Sequence, residues 1–252
     1  MMKRLVRSVL ADKLTILREP GRPDIGLVGP VRLPVQLDDR EIMFQWYAWL
    51  KIEKSMLQKE DLLAVLPQMN LASYQQSSVL VYGDFANAEQ TLVRMHSICH
   101  TGDIFGSKRC DCGFQLRRSM SMMVNNGSGA LFYLADHEGR GIGLFAKSLT
   151  YVLQEEGYDT VEANVALGFS DDHRSYDEAI RVLRYLRPKP VTLITNNPKK
   201  LQSLQEQGLS TNDHYPIWGK PSKYNRRYLA TKIAKSGHLP PGIQMQSLDH
   251  GS

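Results

Sequence analysis

Cysteine is scarce in this chain of 252 residues: three copies, Cys99, Cys110 and Cys112, all inside the fourteen-residue window C-H-T-G-D-I-F-G-S-K-R-C-D-C. No fourth cysteine exists to close an all-thiolate structural metal site. A long apolar run is missing as well. Arg7, Asp12 and Lys13 interrupt the basic stretch from Met1 to Leu17, which excludes the unbroken core of a signal peptide or membrane helix there. Few cysteines and no export signal make a reducing cytoplasm the expected compartment, with no membrane partner. No internal repeat, low-complexity tract or long linker divides the sequence. Acidic residues number 26 against 31 basic ones, and the formal charge of +5 favours an anionic partner without choosing between a nucleotide and a nucleic acid.

The three thiols lie close enough in sequence to act together. Thiolates bind zinc tetrahedrally; a structural site takes four protein ligands, whereas a catalytic site keeps one position for water or substrate. Three cysteines therefore favour an open, catalytic metal, with His96 and His100 near enough to be weighed as a fourth ligand. The competing explanation is three reduced cysteines packed as small hydrophobes. The polar, glycine-containing loop between them is a poor core segment, which favours metal.

A hydrophobic share of 42% with 23% charge suffices for one large domain or two small ones. Up to about Gln76 the patterns are weak: residues 41–47 alternate like a strand, and Leu50 to Leu66 has helical spacing. Beyond Ser78 they sharpen. Residues 79–82, 91–95, 130–134 and 191–195 read as strands, and 115–125, 144–156, 177–186 and 199–207 as helices stopped by Gly127, Gly157, Pro188 and Gly208. The succession of strand, polar loop and helix predicts an α/β protein, with a mixed sheet and flanking helices.

In such folds ligands gather where a strand feeds a helix, because helix N-termini offer free N–H groups to anions. Two junctions fit. His137 to Gly143 supplies a carboxylate, a guanidinium and three glycines after one strand; Thr195 to Lys200 places Pro198 at a helix start beside two lysines after another. Lysines in a first turn oppose the helix dipole, and a bound polyanion explains them, although a solvated basic turn is the commoner origin of such a run. Gly168 to Arg174 sets acid, imidazole and guanidinium side by side before a further helix, more than one helix cap requires.

These motifs together resemble the GTP cyclohydrolase II family. The likeness rests on H-S-x-C-x-T-G-D and R-C-D-C-G-F-Q-L within Arg94 to Gln115, E-G-R-G-I-G-L from Glu138, Q-E-E-G-Y-D-T-V-E-A-N from Gln154, Leu167 to Arg174, and L-I-T-N-N-P-K-K from Leu193. It runs from about Gly29 to Leu239, ending in T-K-x-A-K-x-G-H. The resemblance implies that family's fold and the first reaction of riboflavin biosynthesis: opening of the guanine imidazole ring of GTP, with release of formate and pyrophosphate. It further implies one Zn2+ per subunit on Cys99, Cys110 and Cys112, Mg2+ on the triphosphate, and a homodimer. Arg94, Met95, His96, Ser97, Ile98, Gln115, Glu138, Gly139, Arg140, Thr160, Thr195 and Lys200 match substrate-binding positions. Asp172 matches the family's proton acceptor, Arg174 its proposed nucleophile toward the α-phosphorus, and Tyr151 a tyrosine required for formate release. A protonated guanidinium is a poor nucleophile, so stabilisation of phosphate charge is the simpler role for Arg174.

Two features depart from the family pattern. Ile98 stands where glutamate is common and His100 where leucine is usual, which makes substrate choice the expected point of difference. Residues 1–28 and 51–76 have no counterpart. The organisation expected is a divergent N-terminal segment, 1–76, with strands joining the main sheet, a catalytic domain, 77–240, and a disordered tail, 241–252. The alternatives are a divergent paralogue acting on another purine or pyrimidine nucleotide, and a regulator that binds nucleotide without turnover. A zinc-stabilised nucleic-acid module ranks last, because the basic residues gather at phosphate-sized loops rather than on a face interleaved with aromatics.

Overall fold

The computed structural model describes residues 4–52, 58–74, 76–170, 172–209 and 211–240; the expected tail, 241–252, lies outside them. A basic helix, α1 (Arg4–Lys13), leads into β1 (Leu14–Leu17), β2 (Asp24–Leu37) and β3 (Arg40–Ile52), followed by α2 (Lys59–Val65) and β4 (Ser78–Tyr82). Then come β5 (Leu92–Ser97), α3 (Cys112–Asn126), β6 (Gly129–Leu134), α4 (Gly143–Glu155) and α5 (Thr160–Ala166). The order closes with α6 (Asp177–Leu186), β7 (Val191–Ile194), α7 (Pro198–Glu206), β8 (Thr211–Tyr215) and α8 (Arg226–Ser236).

All eight described strands form one mixed sheet in the order β1-β2-β3-β4-β6-β5-β7-β8. The neighbours from β1 to β6 pair antiparallel, and β6, β5, β7 and β8 run parallel. Side chains alternate across the sheet, so Val93 and Met95 join a core with Ile180, Leu183 and Leu193. Leu92 instead packs with Leu131, Ile194 and the α3 residues Met120, Met123 and Val124. Full burial of each such side chain contributes roughly 1.5–3 kcal/mol. A smaller cluster of Leu14, Ile52, Leu62 and Leu63 ties β1, β3 and α2 together at the far edge.

Several elements depart from the sequence patterns. Leu50 to Ile52 finish β3 instead of opening a helix, because the ladder places Leu50 opposite Gly26 and Ile52 opposite Asp24; helix begins only at Lys59. Here cross-strand pairing overrides a helical spacing. α3 starts at Cys112, three residues early, and stops where Gly127 takes φ +81° and donates to the Val124 carbonyl. α1, β1, β2, α5, β8 and α8 extend the pattern read from the sequence.

Candidate active site

The carboxyl ends of β5, β6 and β7 all open on one cleft, whose lining comes from the residues just beyond them and from α4, α5 and α8. This is where parallel strands deliver ligand-binding loops. The loop after β6 is left-handed at Gly139 (φ +61°), Arg140 (φ +68°) and Gly141 (φ +91°) in succession. A Cβ at Gly139 would stand 2.9 Å from Ile142, and one at Gly141 3.0 Å from His173. Arg140 thus carries the steric cost of about 1 kcal/mol that its glycine neighbours avoid.

The three thiols converge. The Cys99 and Cys110 sulfurs are 3.6 Å apart, and all three Sγ atoms lie within 4.8 Å of one another. A tetrahedral ion with sulfur bonds near 2.3 Å holds its sulfurs about 3.8 Å apart, so this donor set fits zinc. Gly102 lets the loop close over it: a Cβ there would meet the Cys110 sulfur at 2.8 Å and the Cys99 sulfur at 3.1 Å. Gly113 is required by the same approach, its Cβ position being 2.3 Å from the Gly102 carbonyl oxygen.

Neither histidine weighed as a fourth ligand joins the cluster, which among the described residues is the three cysteines alone. His96 donates through Nε2 to Asp103 Oδ2 at 3.0 Å, and the same oxygen accepts the Cys99 N–H at 3.0 Å and the Tyr133 hydroxyl at 3.1 Å. The His100 ring packs edge-on against Phe105, 4.9 Å between centroids. Glu138 turns toward the cysteine loop: Oε2 accepts the His100 N–H at 2.7 Å, and Oε1 accepts Lys147 Nζ at 2.6 Å. Tyr151 bonds Thr101 at 3.2 Å, hydroxyl to hydroxyl, and Thr101 Oγ1 lies 3.8 Å from the Cys99 sulfur.

Beside the thiols stands a cationic wall. Arg94 is buried, donating to the Ile194 carbonyl at 3.0 Å and to Gln115 Oε1 at 2.5 Å; Gln115 in turn donates to Asp111 at 2.7 Å, which also receives Lys232 at 3.1 Å. Buried Lys200 donates to the Met95 carbonyl at 2.7 Å. Burial first, then Arg94, Arg174 and Lys232, hold the Lys200 pKa well below the ordinary lysine value. Asp172 offsets this only in part, and a polyanion in the cleft would favour the charged form further. Arg174 grips Asp172 with two bonds, Nε to Oδ1 at 2.7 Å and Nη2 to Oδ2 at 2.6 Å, and also reaches Ser97 at 3.3 Å. Burial alone would raise the Asp172 pKa, but those bonds overcome it and bring it down to about 2. Burial likewise opposes charge on Arg174, and Tyr176 and Asp172 outweigh it, so the guanidinium stays protonated.

His137 is buried as a neutral ring: Nε2 donates to the Ser175 carbonyl at 2.8 Å while Nδ1 accepts the Ser97 hydroxyl at 3.1 Å. Burial, followed by Arg174 and Lys200, lowers its pKa to about 3.

Of the residues singled out in the sequence, Arg94, His96, Ser97, Ile98, Gln115, Glu138, Gly139, Arg140, Tyr151, Thr160, Arg174, Thr195, Lys200 and the three cysteines line the cleft. Asp172 reaches it through Arg174. Met95 does not line it: strand alternation sends Arg94 and His96 to the α3 side and Met95 into the opposite core, leaving only its carbonyl at the site. Sequence reasoning missed Lys147, Thr150 and Gln154, which with Tyr151 form one polar stripe at helical spacing along α4, and that stripe was a readable signal. It also missed Asn164 of α5 and Tyr228, Lys232 and His238 in and after α8.

A family model described as GTP cyclohydrolase II matches residues 65–216, more than half of the chain and all three cysteines. The chain belongs to the GTP cyclohydrolase II family. A riboflavin biosynthesis protein RibBA of Bacillus subtilis is 49% identical over 160 residues, covering 63% of this chain and 40% of that protein. The RibBA protein of Phocaeicola vulgatus is 49% identical over 159 residues, 63% of this chain and 39% of its own. A monofunctional riboflavin biosynthesis protein, RIBA 3, chloroplastic, of Arabidopsis thaliana is 49% identical over 160 residues, 64% of this chain and 31% of its own. The chain thus spans less than half the length of these relatives. Cleft residues Tyr228, Lys232 and His238 fall beyond the region the family model covers.

Proposed function

We propose that the chain is a zinc- and magnesium-dependent GTP cyclohydrolase II. In this reading it opens the imidazole ring of GTP, releases formate and pyrophosphate, and forms 2,5-diamino-6-(5-phosphoribosylamino)pyrimidin-4-one for riboflavin biosynthesis. The observation that carries it is the juxtaposition, in one cleft, of a glycine-enforced three-thiol cluster with a buried cationic wall. Cys99, Cys110 and Cys112 would hold zinc, which supplies Lewis acidity toward the hydrolytic water. Arg94, Lys200 and Arg174 bind the triphosphate, with Thr195 in the turn between β7 and α7; magnesium would be carried by the phosphate groups, since it prefers oxygen ligands.

With its pKa near 2, Asp172 is a weak base while Arg174 holds both its oxygens. A phosphate that draws Arg174 away releases the carboxylate to accept a proton, so substrate binding itself arms the base. Tyr151 serves formate release in this reading, a role supported by its hydroxyl bonding Thr101 beside the Cys99 sulfur. Ile98 at the cleft, in place of a carboxylate, removes one anionic contact and leaves Glu138 engaged with the cysteine loop.

Residues 77–240 form the catalytic unit in this reading, and residues 1–76 an added segment. The enzyme acts in the cytoplasm as a homodimer, supported by the exposed apolar side chains Phe105, Phe145 and Val152 beside the site. No helix among the described residues is long and apolar enough to cross a membrane.

The test is to incubate zinc-replete protein with GTP and magnesium and follow formate, pyrophosphate and the pyrimidine together by mass spectrometry. All three are expected. Turnover of another nucleotide in preference to GTP supports the divergent paralogue, and tight GTP binding without turnover supports the regulator.

A further inference from the structure

Lys147 has no role in the reaction as derived above, yet it is 8% exposed and sits against the thiol cluster. Its Nζ donates to the Cys99 sulfur at 3.2 Å and to Glu138 Oε1 at 2.6 Å. The other oxygen of Glu138 accepts the N–H of His100, the residue after Cys99. A lysine on α4 and a glutamate after β6 therefore grip the Cys99 loop at two adjacent points, one through sulfur and one through backbone. We propose that Lys147 is a positioning residue for the metal centre, neutralising the three-thiolate set and tuning Cys99 as its donor, an inference that rests on the zinc reading above.

The charge count makes the argument. Three thiolates around a divalent ion leave one net negative charge, and Glu138 adds a second, in a pocket where unpaired charge is costly. One buried ammonium between them removes half of that excess. Because the thiolate is the form that binds metal, a loaded site must carry all three negative charges, whereas an unloaded one need not. Loss of the ammonium therefore falls on the loaded state. An N–H donor on a coordinated sulfur also withdraws electron density from the bond to the metal, as outer partners of metal ligands do.

The experiment uses the full chain loaded with Co2+ in place of zinc, with Lys147→Met, Lys147→Arg and Glu138→Gln compared with wild type. In wild type, sulfur-to-cobalt charge-transfer bands of a three-thiolate site are expected; their absence sinks the zinc reading itself. In Lys147→Met those bands should move to lower energy, since the sulfur lone pairs lose a stabilising donor. Zinc retention against a competing chelator should weaken by about 10- to 100-fold. Lys147→Arg, which keeps charge and donor, should restore most of both. Glu138→Gln should leave the bands near their wild-type energy because the ammonium remains. Unchanged bands and unchanged zinc retention in a folded Lys147→Met protein, or equal loss in Lys147→Arg, overturn the proposal. If Lys147→Met does not fold, the other two variants decide: near-wild-type bands and zinc retention in Lys147→Arg and near-wild-type bands in Glu138→Gln are expected, and bands clearly displaced to lower energy in either contradict it.

Discussion

Strands β1 to β4 pair antiparallel and return through local connections, whereas β6, β5 and β7 run parallel and release their chains on one side of the sheet. Every described residue lining the cleft lies at position 94 or beyond, so the parallel half supplies the chemistry. The antiparallel half contributes buried surface, with Ile25, Leu27 and Trp49 in the main core and Leu62 and Leu63 in their own cluster. Direction explains the division. Parallel strands bring the loops that follow them to a common edge, where thiols from one, a glycine-rich turn from the next and a helix start from the third meet around a single cleft. Antiparallel neighbours send successive loops to opposite edges and converge nothing.

Substitutions that respect this division should separate activity from stability. The largest effect is expected from Cys110→Ser, which should lose zinc and all formate release while the far half of the sheet stays folded; stoichiometric zinc by metal analysis with normal formate would contradict it. Gly102→Ala drives a methyl into the Cys110 sulfur, and a fall of about tenfold or more in zinc retention is expected, on the scale of other disturbed metal shells. Tyr151→Phe should keep pyrophosphate release but accumulate the formamide, read by mass spectrometry, and an unchanged product ratio would remove the role given to that hydroxyl.

Leu62→Ala, in the half that lines none of the thiol-bearing cleft, should cost about 2–5 kcal/mol in denaturant unfolding and leave kcat and KM unchanged in the folded fraction. A kcat loss there would join the halves that the cleft separates.

The smallest effect is a pH slope. His137 is neutral in the fold with a pKa lowered to about 3, facing Arg174, Lys200, Asp172 and the nearby Asp136 carboxylate. Unfolded, it titrates near 6.5, so the unfolded state binds the extra proton between the two values. Its contribution is complete above about pH 6.5 and declines by up to about 1.4 kcal/mol per unit as pH falls toward 3. His137→Gln should flatten the decline in urea midpoint between pH 7 and 5, and an identical slope would contradict the buried neutral ring.

The cleft was more legible in the sequence than the frame around it. Cysteines, glycines and charged residues are constrained by chemistry at fixed spacing, so the C-x-C pair, the E-G-R-G turn and the N-N-P-K-K helix start could be read directly. Met95 was drawn in only because its neighbours belong, and the two-residue strand period removes it. β2 and β8 were illegible because Pro30, Pro34 and the polar run T-N-D-H-Y hide strands that the sheet imposes by pairing. α5 has only Thr160 to Ala166 to show periodicity, and its stability comes from the Asp159 and Glu162 capping box, pinned by Lys235 from α8. Lys147 was legible only through the stripe it shares with Thr150, Tyr151 and Gln154; taken singly it reads, like Lys232, as solvated surface until the fold buries it against a sulfur or a carboxylate.

The measurement that bears most directly on the account is a zinc titration of metal-stripped protein in the presence of GTP and magnesium, with formate counted at each step. Formate release should rise in proportion to added zinc and level off at one ion per chain. Formate produced at the same rate without zinc, or a plateau unrelated to the three-thiol cluster and unaltered by Cys110→Ser, would contradict it.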